Sequence, residues 1–263
     1  MYRAKEMGRN NFQFFTAEMN VNAMETMKLE RDLRYAIDNE EFLLFYQPKV
    51  SCVTGKIVGF EALLRWKHSV RGMVSPAEFV PLLEETGLIV PVGAWVLNTA
   101  CAQAKAWQDA GLGALSIAVN VSGKQMSQSL CDTVRAALDA SGLAPEHLEL
   151  ELTESYLMRD AESIIATLRR LKEMDVTISV DDFGTGYSSL AYLKRFPLDS
   201  LKVDRAFVQD ITADPGDVSI TRAIITLAHS FNLQVVAEGV ETEGQLSLLI
   251  ANNCDIIQGY YFS

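Results

Sequence analysis

An α/β fold closed into a modified TIM-like (β/α)8 barrel, with one antiparallel strand near the N-terminus, is what this sequence predicts. Three observations carry the expectation. Eight apolar, strand-like stretches recur along the chain. Most segments between them read as helix, and each stretch runs into a polar or acidic residue at its C-terminal end. Strands that alternate with helices build a largely parallel sheet whose outer face the helices cover. Eight of them close into a barrel, and barrel enzymes draw their functional residues from the C-terminal strand ends.

The stretches are 42–47, 57–61, 115–120, 147–151, 177–181, 200–204, 233–238 and 256–258. They end at Gln47, Glu61, Asn120, Glu151, Asp181, Asp204, Glu238 and Gln258, of which five are carboxylates. All are expected at one mouth.

Residues 1–15 (MYRAKEMGRNNFQFF) are too short to fold alone and read as the tail of a preceding domain. Residues 1–20 are therefore set apart as tail and linker, and 21–263 as the main domain. Leu29, Leu33 and Ile37 mark one apolar helical stripe over 22–39. Stretches 42–50 and 56–66 are separated only by 51–55, too few residues for the crossover a parallel pair needs. These two strands are expected to pair antiparallel, which puts Gln47 inside its strand rather than at its end. Helices follow over 76–85, with Ser75 as N-cap and Pro76 in the first turn. Others are expected over 92–110, 124–140, 161–174, 218–231 and 243–252, with Gly111, Gly142 and Asp175 as stop signals. The chain stops at Ser263 with no closing helix, so truncation at both ends is expected.

Composition narrows the function. With 49% hydrophobic residues among 263, a substantial core is available. A net charge of −11 argues against binding a nucleic-acid polymer through a basic surface. A small phosphate substrate remains compatible if metal ions neutralise the mouth. Cys52, Cys101, Cys131 and Cys254 lie far apart and read as reduced thiols, and three scattered histidines do not suggest zinc. No apolar run reaches membrane-spanning length and no signal-peptide pattern is present. A cytoplasmic fragment without membrane contact is expected, any tether of a longer parent lying elsewhere.

Four motifs carry candidate chemistry, each with a plainer alternative. In 149–154 (ELELTE), alternation puts Glu149 and Glu151 on one strand face and Leu150 and Leu152 on the other. Inner-face glutamates are costly unless paired or bound to cations; Glu154 alternatively just starts a helix. Asp181-Asp182 precede Phe183-Gly184-Thr185-Gly186 and suit Mg2+ or Mn2+, or else form an Asx turn. Lys202 and Asp204 share a strand face; Lys202 is either a phosphate or water partner or a snorkelling surface lysine. Glu238, in Glu238-Gly239-Val240-Glu241, is a metal ligand, a general base or a helix cap. Taken together, these acids with Asn120 and one lysine suit two-metal hydrolysis of a phosphate ester. Oxygen donors without His or Cys favour Mg2+ or Mn2+.

The motifs also match a known family. Glu61-Ala62-Leu63 followed by Leu64-Arg65-Trp66, Tyr46-Gln47-Pro48, Val119-Asn120-Val121-Ser122, Glu151-Leu152-Thr153-Glu154, the 181–186 run DDFGTG, Lys202-Val203-Asp204, Glu238-Gly239-Val240-Glu241 and Gln258-Gly259-Tyr260 stand in one order. The chain resembles EAL-domain cyclic di-GMP phosphodiesterases from about residue 29 to 263, and residues 1–15 are similar to the end of a GGDEF domain. The resemblance implies metal-dependent hydrolysis of cyclic di-GMP to linear pGpG in bacterial signalling, a homodimer, and a parent carrying its own N-terminal GGDEF domain.

By position, the resemblance implies two Mg2+ or Mn2+ ions. Glu61, Asn120, Glu151 and Asp181 would hold one; Asp181, Asp182 and Glu238 would serve the other. It ties Lys202 and Glu238 to the catalytic water, with Glu61 counted among the catalytic residues. Glu154 would steady the 182–187 loop (Phe183, Gly184, Thr185 and Gly186 within it), coupling metal occupancy to dimerisation. Gln47, Arg65, Asp204, Glu241 and Gln258 would line or support the dinucleotide site. Rival readings are a cyclic di-GMP receptor that does not cut its ligand, and a phosphodiesterase for another ester.

Overall fold

The computed structural model describes residues 17–158, 161–186 and 190–263. The expected tail at 1–15 lies outside them, and the helix Ala17–Leu33 crosses the division drawn at residue 20. Eight strands close a ring: β1 (Phe42–Ser51), β2 (Ile57–His68), β4 (Ser116–Asn120), β5 (Leu148–Thr153), β6 (Thr177–Phe183), β7 (Ser200–Val203), β8 (Gln234–Ala237) and β9 (Ile256–Ile257). As expected, β1 is the reversed strand, antiparallel to both β2 and β9, while the remaining ring pairs are parallel. A short strand β3 (Gly72–Val74), which the sequence reading did not include, folds back on β2.

Alternation builds the wall. Leu148, Leu150 and Leu152 of β5 face the helical layer, with Ile178 and Val180 of β6 and Leu201 and Val203 of β7 beside them, all at most 1% exposed. The intervening residues of these strands point into the barrel. Leu150→Ala is expected to destabilise the protein by about 2–5 kcal/mol, because it removes apolar contact and leaves a cavity. Urea unfolding followed by circular dichroism measures this.

The helices follow the expected plan with shifted ends. Pro76–Thr86, Ile89–Asp109, Ala161–Lys172, Pro215–Ser230 and Glu243–Ala251 form. The stops at Gly111, Gly142 and Asp175 all adopt left-handed backbone, which terminates a helix. The first helix ends at Leu33, short of residue 39, and turns carry the chain to β1. The helix expected over 124–140 is interrupted. Ser122 and Gln125 form a capping box around a 3-10 turn, Gly123–Gln125, and the helix begins only at Gln128. Glu154 starts a short helix, Glu154–Leu157, as its plainer reading had it, and two further short helices were not expected: Leu190–Leu193 and Arg205–Gln209. Asp204 therefore caps a helix rather than ending a strand, its carboxylate accepting from the Ala206 N–H at 2.7 Å.

Candidate active site

The C-terminal ends of the parallel strands meet at one mouth, a cavity of about 290 Å³. Gln47, Glu61, Asn120, Asp181, Glu238, Glu241 and Gln258 line it, with Arg205, Gly239 and Tyr260. Gln47 reaches the mouth although it lies inside β1, because the antiparallel pairing sets it directly opposite Glu61.

Lys202 stands beneath this mouth, wholly buried. Its Nζ lies 2.6 Å from Glu238, 2.7 Å from Glu151, 3.2 Å from Asp181 and 3.4 Å from Glu61. A snorkelling surface lysine is thereby excluded. Glu61 is held from two further sides: Asn120 donates to Oε1 at 2.6 Å, and Gln258 donates to Oε2 at 2.6 Å. The same Gln258 amide donates to Gln47 at 2.8 Å. Only glycine fits at 259, since a Cβ there would lie 2.2 Å from the Val240 carbonyl oxygen. That close approach fixes the turn that presents Gln258.

In a regular strand Asp181 and Asp182 would point to opposite faces. Between Val180 and Phe183 the register of β6 against β7 slips, and Asp182 takes φ 55°. This bulge re-aims the second carboxylate. Oxygens of Asp181, Asp182 and Glu238 consequently lie within 4.8 Å of one another. Below, the buried Glu154 accepts from the Gly184 N–H at 2.9 Å and anchors the following turn. In that turn the Thr185 hydroxyl donates to the Asp182 carbonyl at 2.8 Å. Residue 187, where the expected loop ends, lies outside the described residues.

Electrostatics follow from the count: one Lys202 ammonium faces four carboxylates. Burial opposes the charge on Lys202, but Glu151, Glu61, Asp181 and Glu238 outweigh it and raise the amine well above its ordinary value. Burial likewise works against Glu151, yet Lys202 and Lys49 hold it at about 2. The others are left short of positive charge. Burial, with Asp181 and Glu61 nearby and Lys202 opposing, pushes Glu238 up to about 8. Burial, Asp181 and Asp204 push Asp182 up to about 6. Burial also raises Glu61 and Asp181. The donors are hard oxygens held close together, and among the described residues the buried Oε1 of Gln258 has no hydrogen-bond partner. The residues present therefore suit divalent ions.

A pH dependence follows. An acid whose folded pKa exceeds its unfolded value binds extra protons when folded, so its stabilising contribution is complete below the unfolded pKa and fades as pH rises through the folded one. For Glu238 that window runs from 4.5 to about 8, and for Asp182 from 3.8 to about 6. In EDTA the melting temperature is expected to fall between pH 6 and 8. Added Mn2+ should restore more at pH 8 than at pH 6. Differential scanning fluorimetry reads both.

Two expected residues stand apart. Arg65 lines an adjoining cavity of about 310 Å³ with Glu84 and Ser122; its guanidinium donates to the Leu64 carbonyl at 3.0 Å and lies 5.5 Å from the Phe45 ring centroid. Asp204 serves as a helix cap, its charge raising the pKa of nearby Asp182, rather than lining the mouth. The sequence reading gave no role to Arg205, a cation on the mouth's rim, or to Lys49, buried in the barrel interior.

Fold and site together define an α/β-barrel protein with a carboxylate-rich mouth suited to divalent cations. Residues 30–263 match the family described as EAL domain. The bifunctional diguanylate cyclase/cyclic di-GMP phosphodiesterase MucR of Pseudomonas aeruginosa is 49% identical over 261 residues, 99% of this chain and 38% of its own length. The cyclic di-GMP phosphodiesterase NbdA of the same species is 45% identical over 264 residues, 100% of this chain and 34% of its own. A solved structure of the PaMucR phosphodiesterase in its c-di-GMP complex superposes with a TM-score of 0.86 at 48% identity, covering 89% of this chain and 95% of that one. The chain thus spans 38% and 34% of the two curated relatives. It belongs to the EAL domain family. Among the described residues no single helix is long and apolar enough to cross a membrane.

Proposed function

We propose that this chain hydrolyses cyclic di-GMP to linear pGpG at the barrel mouth. The observation that carries the reading is the buried Lys202 surrounded by Glu61, Glu151, Asp181 and Glu238, with Asp182 bulged in beside them. Similarity to relatives named for this activity supports the choice of substrate.

Glu61, Asn120, Glu151 and Asp181 would hold one Mg2+ or Mn2+, and Asp181, Asp182 and Glu238 a second. Bound there, such ions lower the pKa of water and offset phosphate charge. With a single ion bound, the free carboxylate of Glu238 would accept the proton of the attacking water; with two ions bound it would serve as a ligand instead. The water oxygen bonds to phosphorus, the phosphorus–O3′ bond breaks, and the departing O3′ takes up a proton from solvent to become the 3′ hydroxyl of pGpG. Lys202 holds the Glu151 and Glu238 oxygens in place. Arg205 on the rim offers a guanidinium to a phosphate oxygen, and Gln47, Glu241 and Gln258 meet the dinucleotide. Arg65 and Asp204 support the site from outside it.

The length of the relatives, one of them named as bifunctional with a diguanylate cyclase, supports reading residues 1–20 as the end of a GGDEF domain and 21–263 as the phosphodiesterase domain. Dimerisation through the loop after Asp182, and a cytoplasmic location, belong to the same reading. Incubation with cyclic di-GMP and Mn2+, Mg2+ or EDTA, followed by chromatography, is expected to give pGpG with metal and none with EDTA. Retention of cyclic di-GMP without product would favour a receptor. Neither binding nor product would refute the substrate.

A further inference from the structure

Lys49 is buried at 2% exposure in the barrel interior, below the ring of mouth residues. Its ammonium donates to Glu151 Oε1 at 2.7 Å and to Glu149 Oε2 at 2.8 Å. Glu149 is itself fixed by the Ser200 hydroxyl at 3.0 Å. The other oxygen of Glu151, Oε2, accepts from Lys202 at 2.7 Å. Glu151 is therefore clamped between two ammonium groups, one below and one in the mouth cluster. The cross-strand partner of Lys49 is Gly59, and a Cβ at 59 would collide with Ser116.

The end torsion of a glutamate is soft, so a ligand carboxylate needs outside partners to fix its plane. From this geometry we infer that Lys49 is a positioning residue. By holding Oε1 of Glu151 it fixes the carboxylate plane and presents Oε2 to the cation-binding mouth. The inference rests on the reading that the mouth takes divalent ions. Lys49 touches neither the ions nor the substrate; it acts through Glu151.

Mn2+ affinity, followed by the electron paramagnetic resonance of free Mn2+, tests this without reference to hydrolysis. Lys49→Met is expected to raise the Mn2+ dissociation constant about 10–100-fold, with a cooperative melt retained. Lys49→Met combined with Glu149→Leu removes the carboxylate that the single change strands and replaces an ion pair by apolar contact. The double variant is expected to fold and to show the same weakening. A purely structural role would lower the melting temperature while the folded double variant bound Mn2+ like the parent, and that result overturns the assignment. A parent protein that binds no Mn2+ overturns the cation reading along with it.

Discussion

Asp181→Asn and Glu61→Gln are expected to lose metal-dependent hydrolysis entirely, yet to melt in EDTA no lower than the parent. The two halves of this result share one cause. Four carboxylates crowd Lys202, and Lys49 reaches only Glu151 among them, so the site is underneutralised unless protons or cations enter. Replacing one acid by its amide keeps the volume and relieves repulsion, which offsets the hydrogen bond that the new NH2 group cannot accept in the metal-free protein. The same change removes an anionic oxygen that a hard cation requires. Mn2+ should then raise the melting temperature of either variant less than it raises that of the parent, because stabilisation by a ligand scales with its affinity. Activity assays and melts with and without Mn2+ check both halves. A variant that is inactive because it is unfolded in EDTA would assign these acids a structural role instead.

Lys202→Met is expected to act in the opposite sense on stability. Removing the ammonium strands several buried carboxylates, at a cost of about 3–5 kcal/mol for the broken buried pairs. The loss should be largest near pH 8 and shrink toward pH 5, where the acids take up protons. Turnover should fall by about 10–100-fold, the loss typical when a partner that orients ligand carboxylates is removed. Mn2+ is expected to recover part of the stability, since cations supply the missing positive charge, without recovering the rate. Denaturant unfolding at the two pH values, with single-turnover kinetics at saturating Mn2+, separates the effects. Full turnover in a folded Lys202→Met would remove this residue from the mechanism.

The barrel was legible because the strands write it plainly. The alternation of leucine and glutamate in 149–152 states which face is wall and which is interior. The reversed first strand was legible from a loop too short for a crossover. What escaped depended on features that periodicity does not carry. The bulge at Asp181-Asp182 breaks the alternation, so the sequence alone could not say that both acids turn to one side. The helices Leu190–Leu193 and Arg205–Gln209 are too short to display a stripe. Lys49 lies within the stretch read as strand over 42–50, and β1 runs from Phe42 to Ser51, but a lone lysine among apolar residues was given no role. Alternation from Gln47 was the signal that would have placed Lys49 inside. Arg205 follows Asp204 at the start of a helix, and its place on the rim depends on the turn of the chain there.

The most direct test of the mouth as a hydrolytic site is turnover of cyclic di-GMP in H2(18O) with Mn2+, with mass spectrometry of the product. One 18O atom in the 5′-phosphate of pGpG, and no product from the Asp181→Asn variant, is the predicted result. Undiminished labelled product from that variant, or cyclic di-GMP left intact by the parent protein, would contradict it.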